Sequence, residues 1–92
     1  MAVRDLAVFD DWISRSSPSS AARAVVGSFI VELADAPWAA PSAEIPPLSS
    51  KPEYDVRAAQ LDVPEGRVWI VYRHTHRTDD VDLLGIMDDL VR

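Results

Sequence analysis

Five of the chain's seven prolines, Pro37, Pro41, Pro46, Pro47 and Pro52, fall in one stretch. Proline has no backbone N–H and fixes φ, so residues 37–53 cannot form a regular helix or a central strand. The surrounding sequence, APWAAPSAEIPPLSSKPE, therefore reads as a loop. A loop of this length in a small domain is functional or disordered. Trp38, Ile45 and Leu48 supply apolar side chains that can dock, which makes a wrap over one edge of the core the plainest reading.

Before this segment the apolar spacing is helical. Over residues 4–15, Leu6, Phe9 and Ile13 share one face, Val8 and Trp12 widen the stripe, and Asp10 and Asp11 lie on the polar side. Ser16, Ser17 and Pro18 interrupt the pattern. Ser17 is suited to cap a second helix over residues 18–35, with Pro18 in its first turn. Ala22, Val25, Val26, Phe29, Ile30 and Leu33 form the second stripe, and Gly27 allows close approach of the first helix. Pro37 ends the helix, because the residue before a proline is driven out of the helical region. The tight connection predicts an antiparallel helical hairpin.

After the segment the pattern is that of strands. Residues 54–63, 67–76 and 81–87 are rich in Val, Ile, Tyr, Trp and Thr, with turns at Pro64–Gly66 and Arg77–Asp80. Asp88 to Arg92 reads as an acidic tail with at most one helical turn. Short connections imply an antiparallel meander. The expected fold is α+β: one domain over residues 1–92, with an N-terminal antiparallel helical hairpin packed on one face of a three-stranded antiparallel sheet. Two helices cover one side of such a sheet and leave the other to water or a partner.

Composition narrows the function. The chain of 92 residues is 48% hydrophobic, enough for one core, and has no cysteine for disulfides or thiolate metal sites. No apolar run has membrane-spanning length, and no signal peptide is expected, so the expected location is the cytoplasm. Nine Lys and Arg face fifteen Asp and Glu, a net charge of -6. Tracking phosphate needs a basic face, so direct nucleic-acid binding is disfavoured and a basic protein partner is favoured. The Ala, Val, Asp and Arg bias with a single Lys points to a GC-rich bacterial or phage genome.

The stretch VWIVYRHTHR, Val68 to Arg77, concentrates the chemically capable side chains. Alternation on a strand puts Val68, Ile70, Tyr72, His74 and His76 on one face, and Trp69, Val71, Arg73, Thr75 and Arg77 on the other. In the third strand the same rule groups Leu84 and Ile86 with Asp82. One face takes the helices, so Trp69, Val71, Arg73, Leu84 and Ile86, joined by Arg57 if it faces that way, form a candidate protein-binding surface. The proline-rich loop folding back over this patch is the competing reading. His74 and His76 could start a metal site with Asp79, Asp80 or Asp82, but H-x-H is a weak signal, so no metal and no cofactor is expected. Arg57, Tyr72, Arg73 and His74 are a candidate catalytic set for metal-independent RNA cleavage, although alternation separates the arginine from the histidine.

The stretch DLAVFDDWISRSSPSSAARAVVGSFIVELADAP resembles the helical hairpin of ParE toxins, of the RelE/ParE toxin–antitoxin superfamily. Asp5, Leu6, Trp12, Ile13, Ser17, Pro18, Ala22 and Pro37 carry the likeness. DVRAAQLDV and VWIVYRHTHRTDDVDLLGI resemble the family's last three strands, with Val56, Arg57, Tyr72 and Arg73 at matching positions. The resemblance implies a RelE/ParE-like fold. It also implies a small toxin that poisons gyrase or another host protein by contact, or that is held by an antitoxin. The alternative it implies is a ribosome-dependent mRNA interferase using Arg57, Tyr72, Arg73 and His74. A non-toxic homodimer that buries the patch is a third expectation. Three features depart from the family. Only residues 1–4 precede the first helix where the family has a strand, the chain is acidic, and IMDDLVR ends it without the Tyr or His of the ribonuclease branch.

Overall fold

The two helical stripes and the three strand-forming runs become the bulk of the protein, and two short strands join them. The computed structural model describes residues 3–45 and 53–91. In chain order the elements are β1 (Val3–Arg4), α1 (Ala7–Ser16), α2 (Ser20–Asp35), β2 (Ala43–Glu44), β3 (Tyr54–Val63), β4 (Gly66–Thr75) and β5 (Asp80–Leu90).

The expected three-stranded antiparallel sheet is corrected to a five-stranded mixed sheet, ordered β1-β5-β4-β3-β2. β1 runs parallel to β5, with Val3 opposite Val81 and Arg4 opposite Asp82. β2 pairs antiparallel with β3, setting Ala43 against Ala58 and Glu44 against Arg57. A two-residue strand has no periodicity to read, so both additions lie below what the pattern can signal. β2 forms inside the proline-rich segment because residues 42–45, between Pro41 and Pro46, all keep their N–H groups, and an edge strand is where such a segment is tolerated. Ile45 N–H donates to Val56 O at 2.8 Å.

β1 also explains why α1 starts at Ala7 rather than at residue 4. Arg4 belongs to the sheet, Asp5 takes a positive φ of 63° to turn the chain, and Val8 N–H closes the turn onto Asp5 O. α1 ends at Ser17, in the left-handed region at φ 45°, whose N–H bonds Ile13 O. The cap of α2 is Ser19, not Ser17. Its extended backbone lets its Oγ accept from Ala22 N–H at 3.1 Å. Glu65, from the β3–β4 turn, receives both Ser19 N–H and Ser19 Oγ–H, which places a carboxylate at the positive end of the α2 dipole.

α1 packs along β5 and α2 lies over β3. The core joins Trp12, Ala22, Val26, Phe29, Ile30 and Leu33 of the helices to Ala59, Val68, Ile70, Tyr72, Val81, Leu83 and Ile86 of the sheet. The Phe29 and Tyr72 rings meet at 6.3 Å. Asp88 to Leu90 are not helical. They extend β5, with Leu90 opposite Gly66. Gly66 is required there: its φ is 148°, and a Cβ would come within 2.1 Å of Asp89 O.

Among the described residues no helix is long and apolar enough to cross a membrane. Coverage of the open sheet face by the proline-rich loop, and docking through Leu48, involve residues 46–52 and lie outside the described residues.

Candidate functional site

β4 divides its side chains as alternation requires. Val68, Ile70, Tyr72 and His74 are buried towards the helices, whereas Trp69, Val71, Arg73 and Thr75 are half-buried on the opposite face. On that open face Trp69 stands between Gln60 of β3 and Met87 of β5, and Val71 between Ala58 and Gly85.

Two of the expected surface residues do not belong to it. Strict alternation puts Ile86 on the open face, but it pairs with Ile70 and is 2% exposed in the core. The cause is a β-bulge. Val71 faces Gly85 while Tyr72 faces Leu83, so Leu84 has no partner and the alternation of β5 reverses after it. Met87 takes the outward place, 55% exposed, and Leu84 at 49% lies beside it. Arg57 is also on the other face. The β3–β4 hairpin turns on Pro64 and Glu65 alone, with Val63 opposite Gly66, so Arg57 faces Tyr72. A turn of three residues would have set Arg57 opposite Arg73. A register change of one residue moves a side chain to the other face.

Arg73 remains on the open face but is engaged. Its Nη2 lies 2.8 Å from Asp82 Oδ2, and its guanidinium sits 5.4 Å from the Tyr54 ring. Asp82 is buried and also pairs with Arg4 Nε at 2.8 Å. Burial by itself would raise the Asp82 pKa. The hydrogen bonds from Arg73 and Arg4 outweigh it and hold the carboxyl below its usual range. The same hydrogen bond to Asp82 raises the Arg73 pKa.

A second cluster forms on the helix side of the sheet, around a cleft of about 280 Å³ lined by Pro37, Trp38, Asp55, Arg57, His74 and His76. His74 Nε2 lies 2.7 Å from Asp79 Oδ1, and His76 Nε2 lies 3.0 Å from Asp55 Oδ2. The imidazoles are edge to face at 5.4 Å. Arg57 Nε and Tyr72 O–H both donate to Ser42 Oγ, at 2.6 and 2.8 Å, which ties the segment after α2 to the sheet. Trp38 stands at the rim, 65% exposed. Of the candidate catalytic set, Arg57 and His74 line the cleft, Tyr72 is fully buried and meets Arg57 only through Ser42, and Arg73 is on the opposite face. Each imidazole has a carboxylate to orient it, an arrangement capable of moving protons. Among the described residues no three His, Asp or Glu side chains converge in a geometry that could hold a metal ion.

Ser42 and Asp55 carry no signal in the sequence that marks them for this cluster, and Trp38 is marked there only as an apolar side chain able to dock. Asp55 was accessible in principle, since a two-residue turn places it opposite His74. Ser42 and Trp38 arrive through tertiary folding of the proline-rich segment, which leaves no periodic trace. Comparison with protein-family models, with curated proteins and with solved structures returns no match.

Proposed function

We propose that the protein acts by contact with a protein partner, through the open sheet face centred on Trp69. One observation carries this reading: Leu84 and Met87, about half exposed, adjoin Trp69 and Val71 on the face that neither helix covers. A contiguous apolar patch that includes a tryptophan is the signature of an interaction surface. Arg73, held by Asp82, serves as a fixed polar margin to the patch. The likeness of the hairpin and last strands to ParE toxins supports an inhibitory contact in the bacterial cytoplasm, with gyrase, another host protein or an antitoxin as partner.

The test is induction of the protein in a bacterial host, together with supercoiling by purified gyrase. Growth arrest that Trp69→Ser and Met87→Ser abolish, with unchanged circular dichroism, is the expected result. Arrest that both variants leave intact would refute the surface.

The gathering of Arg57, His74 and His76 around one cleft favours a second reading, metal-independent RNA cleavage. Three facts weigh against it: the net charge of -6, the absence of Arg73 from the cleft and the pairing of Arg57 with Ser42 and Asp55. Codon-specific mRNA cleavage on induction, lost in His74→Gln and His76→Gln, would establish this reading in place of the first.

A further inference from the structure

The register of the sheet fixes where the backbone groups of β5 point. The two-residue turn makes Val63 and Gly66 a hydrogen-bonded pair, so Gly66, Val68 and Ile70 direct their N–H and C=O groups to β3. Arg67, Trp69 and Val71 direct theirs to β5, where Asp89, Met87 and Gly85 stand opposite them. Val91 N–H, which donates to Glu65 O at 2.7 Å, continues the series. Ile86, Asp88 and Leu90 therefore turn their backbone groups away from β4. Arg15 agrees with that direction, since its Nη2 reaches from α1 to donate to Ile86 O at 3.1 Å. On that side β1 ends opposite Asp82, so among the described residues no strand lies beside Ile86 to Leu90.

Edge strands are commonly protected by proline, by shortness or by a covering element. β5 holds no proline and continues to Leu90 past the end of β1. Arg15 covers one carbonyl, and its other contact is an exposed pairing with Asp11 at 3.4 Å. A hollow of about 560 Å³ between α1 and β5, lined by Ala7, Asp11, Arg15, Gly85, Ile86 and Met87, leaves room beside the strand. The edge also borders the open face: Met87, 55% exposed, stands between Trp69 and the unpaired side. Donors and acceptors at strand spacing are matched by another extended backbone. A second copy of this chain would gather Asp88 and Asp89 of both copies into one short ladder and join two net charges of -6, which opposes it.

We infer that the outer edge of β5 takes an extended segment of the partner protein as a sixth strand. The segment bonds the backbone of Ile86, Asp88 and Leu90 and sets an apolar side chain beside Met87 on the open face. This rests on the protein-binding reading above and gives the form in which the partner binds.

Amide hydrogen exchange on the free protein reads the edge directly. Ile86 and Asp88 N–H should exchange faster than Met87 and Asp89 N–H, and equal protection in the monomer would overturn the inference. The binding probe is a fluorescein-labelled peptide of alternating Val and Thr with Lys at both ends. Two further versions carry N-methyl groups, one on every Val and the other on every Thr. A strand bonds its neighbour through one edge, so by fluorescence anisotropy one methylated peptide should keep its affinity and the other should lose about tenfold or more. Bound peptide should slow exchange at Ile86 and Asp88. Arg15→Ala frees Ile86 O, so it should bind the parent peptide about threefold or more tightly, at an unchanged melting temperature. No binding of the parent peptide, equal effects of the two methylations, or unchanged or weaker binding by Arg15→Ala would overturn the added strand. A dimer seen by sedimentation, with Ile86 and Asp88 protected, would also overturn it by making a second copy the occupant. Growth arrest separates this inference from the reading it rests on. Arrest at lower induction in Arg15→Ala than in wild type supports the added strand. Arrest lost in Trp69→Ser but unchanged in Arg15→Ala overturns the added strand and leaves the surface standing; arrest unchanged in both removes both.

Discussion

Asp82 is the most constrained side chain on the open face. It is 5% exposed, yet charged, because Arg4 and Arg73 each approach to 2.8 Å. Its folded pKa lies below the unfolded value, so its pairing stabilises the fold at neutral pH and is lost as pH falls through the folded pKa. Both guanidiniums are about half exposed to solvent, which screens them, so the net contribution is about 1 kcal/mol. Asp82→Asn is therefore expected to lower stability by about 1 kcal/mol at neutral pH. The gap from wild type should narrow as the pH drops below the ordinary carboxylate range. Urea unfolding of both proteins across pH measures this, and a pH-independent gap would contradict it. The sequence offered Arg73 as a binding residue because it lies on an alternating strand. The carboxylate that occupies it is nine positions away, reached only by β4–β5 pairing.

Among the elements, the β3–β4 hairpin does more than join two strands. Its turn presents Glu65 to the start of α2, where Ser19 donates to it twice and caps the helix in turn. Ser19→Ala should cost about 1 kcal/mol, the usual value of such a cap. Ser17→Ala, at the serine that directly precedes Pro18, should not remove this interaction, and thermal melts of the two variants would tell them apart. Gly66 closes the same hairpin. Gly66→Ala meets both an unfavourable φ and the Asp89 carbonyl, so at least about 2 kcal/mol should be lost. An unperturbed melting temperature in Gly66→Ala would show that β5 does not continue beside β4 to Leu90.

For the whole molecule, stability depends on one layer of contact between the helical hairpin and the inner face of the sheet. Ile70 is fully buried at the centre of that layer, with Ala59 and Ile86 on either side. Ile70→Ala should lose about 2–5 kcal/mol, a large part of the about 5–15 kcal/mol available to a domain of this size. Equilibrium urea denaturation would register it as a lower midpoint at unchanged slope. The outer face has no comparable role, so Trp69→Ser and Met87→Ser should change the midpoint far less than Ile70→Ala. That separation makes the proposed surface testable without unfolding the protein.

By itself the sequence determined the apolar stripes of the two helices, the three long strand-forming runs, and the division of β4 into a Tyr72–His74 face and a Trp69–Arg73 face. These follow from the fixed periods of helix and strand, which a chain carries locally. Only the tertiary structure decided the rest. Val3–Arg4 and Ala43–Glu44 are strands because a neighbouring edge was there to pair with them. Arg57 faces Tyr72 because the hairpin turns on two residues, and Ile86 is buried because one unpaired residue, Leu84, reverses the alternation of β5. Register and bulges are properties of a pair of strands, so no period within either strand records them.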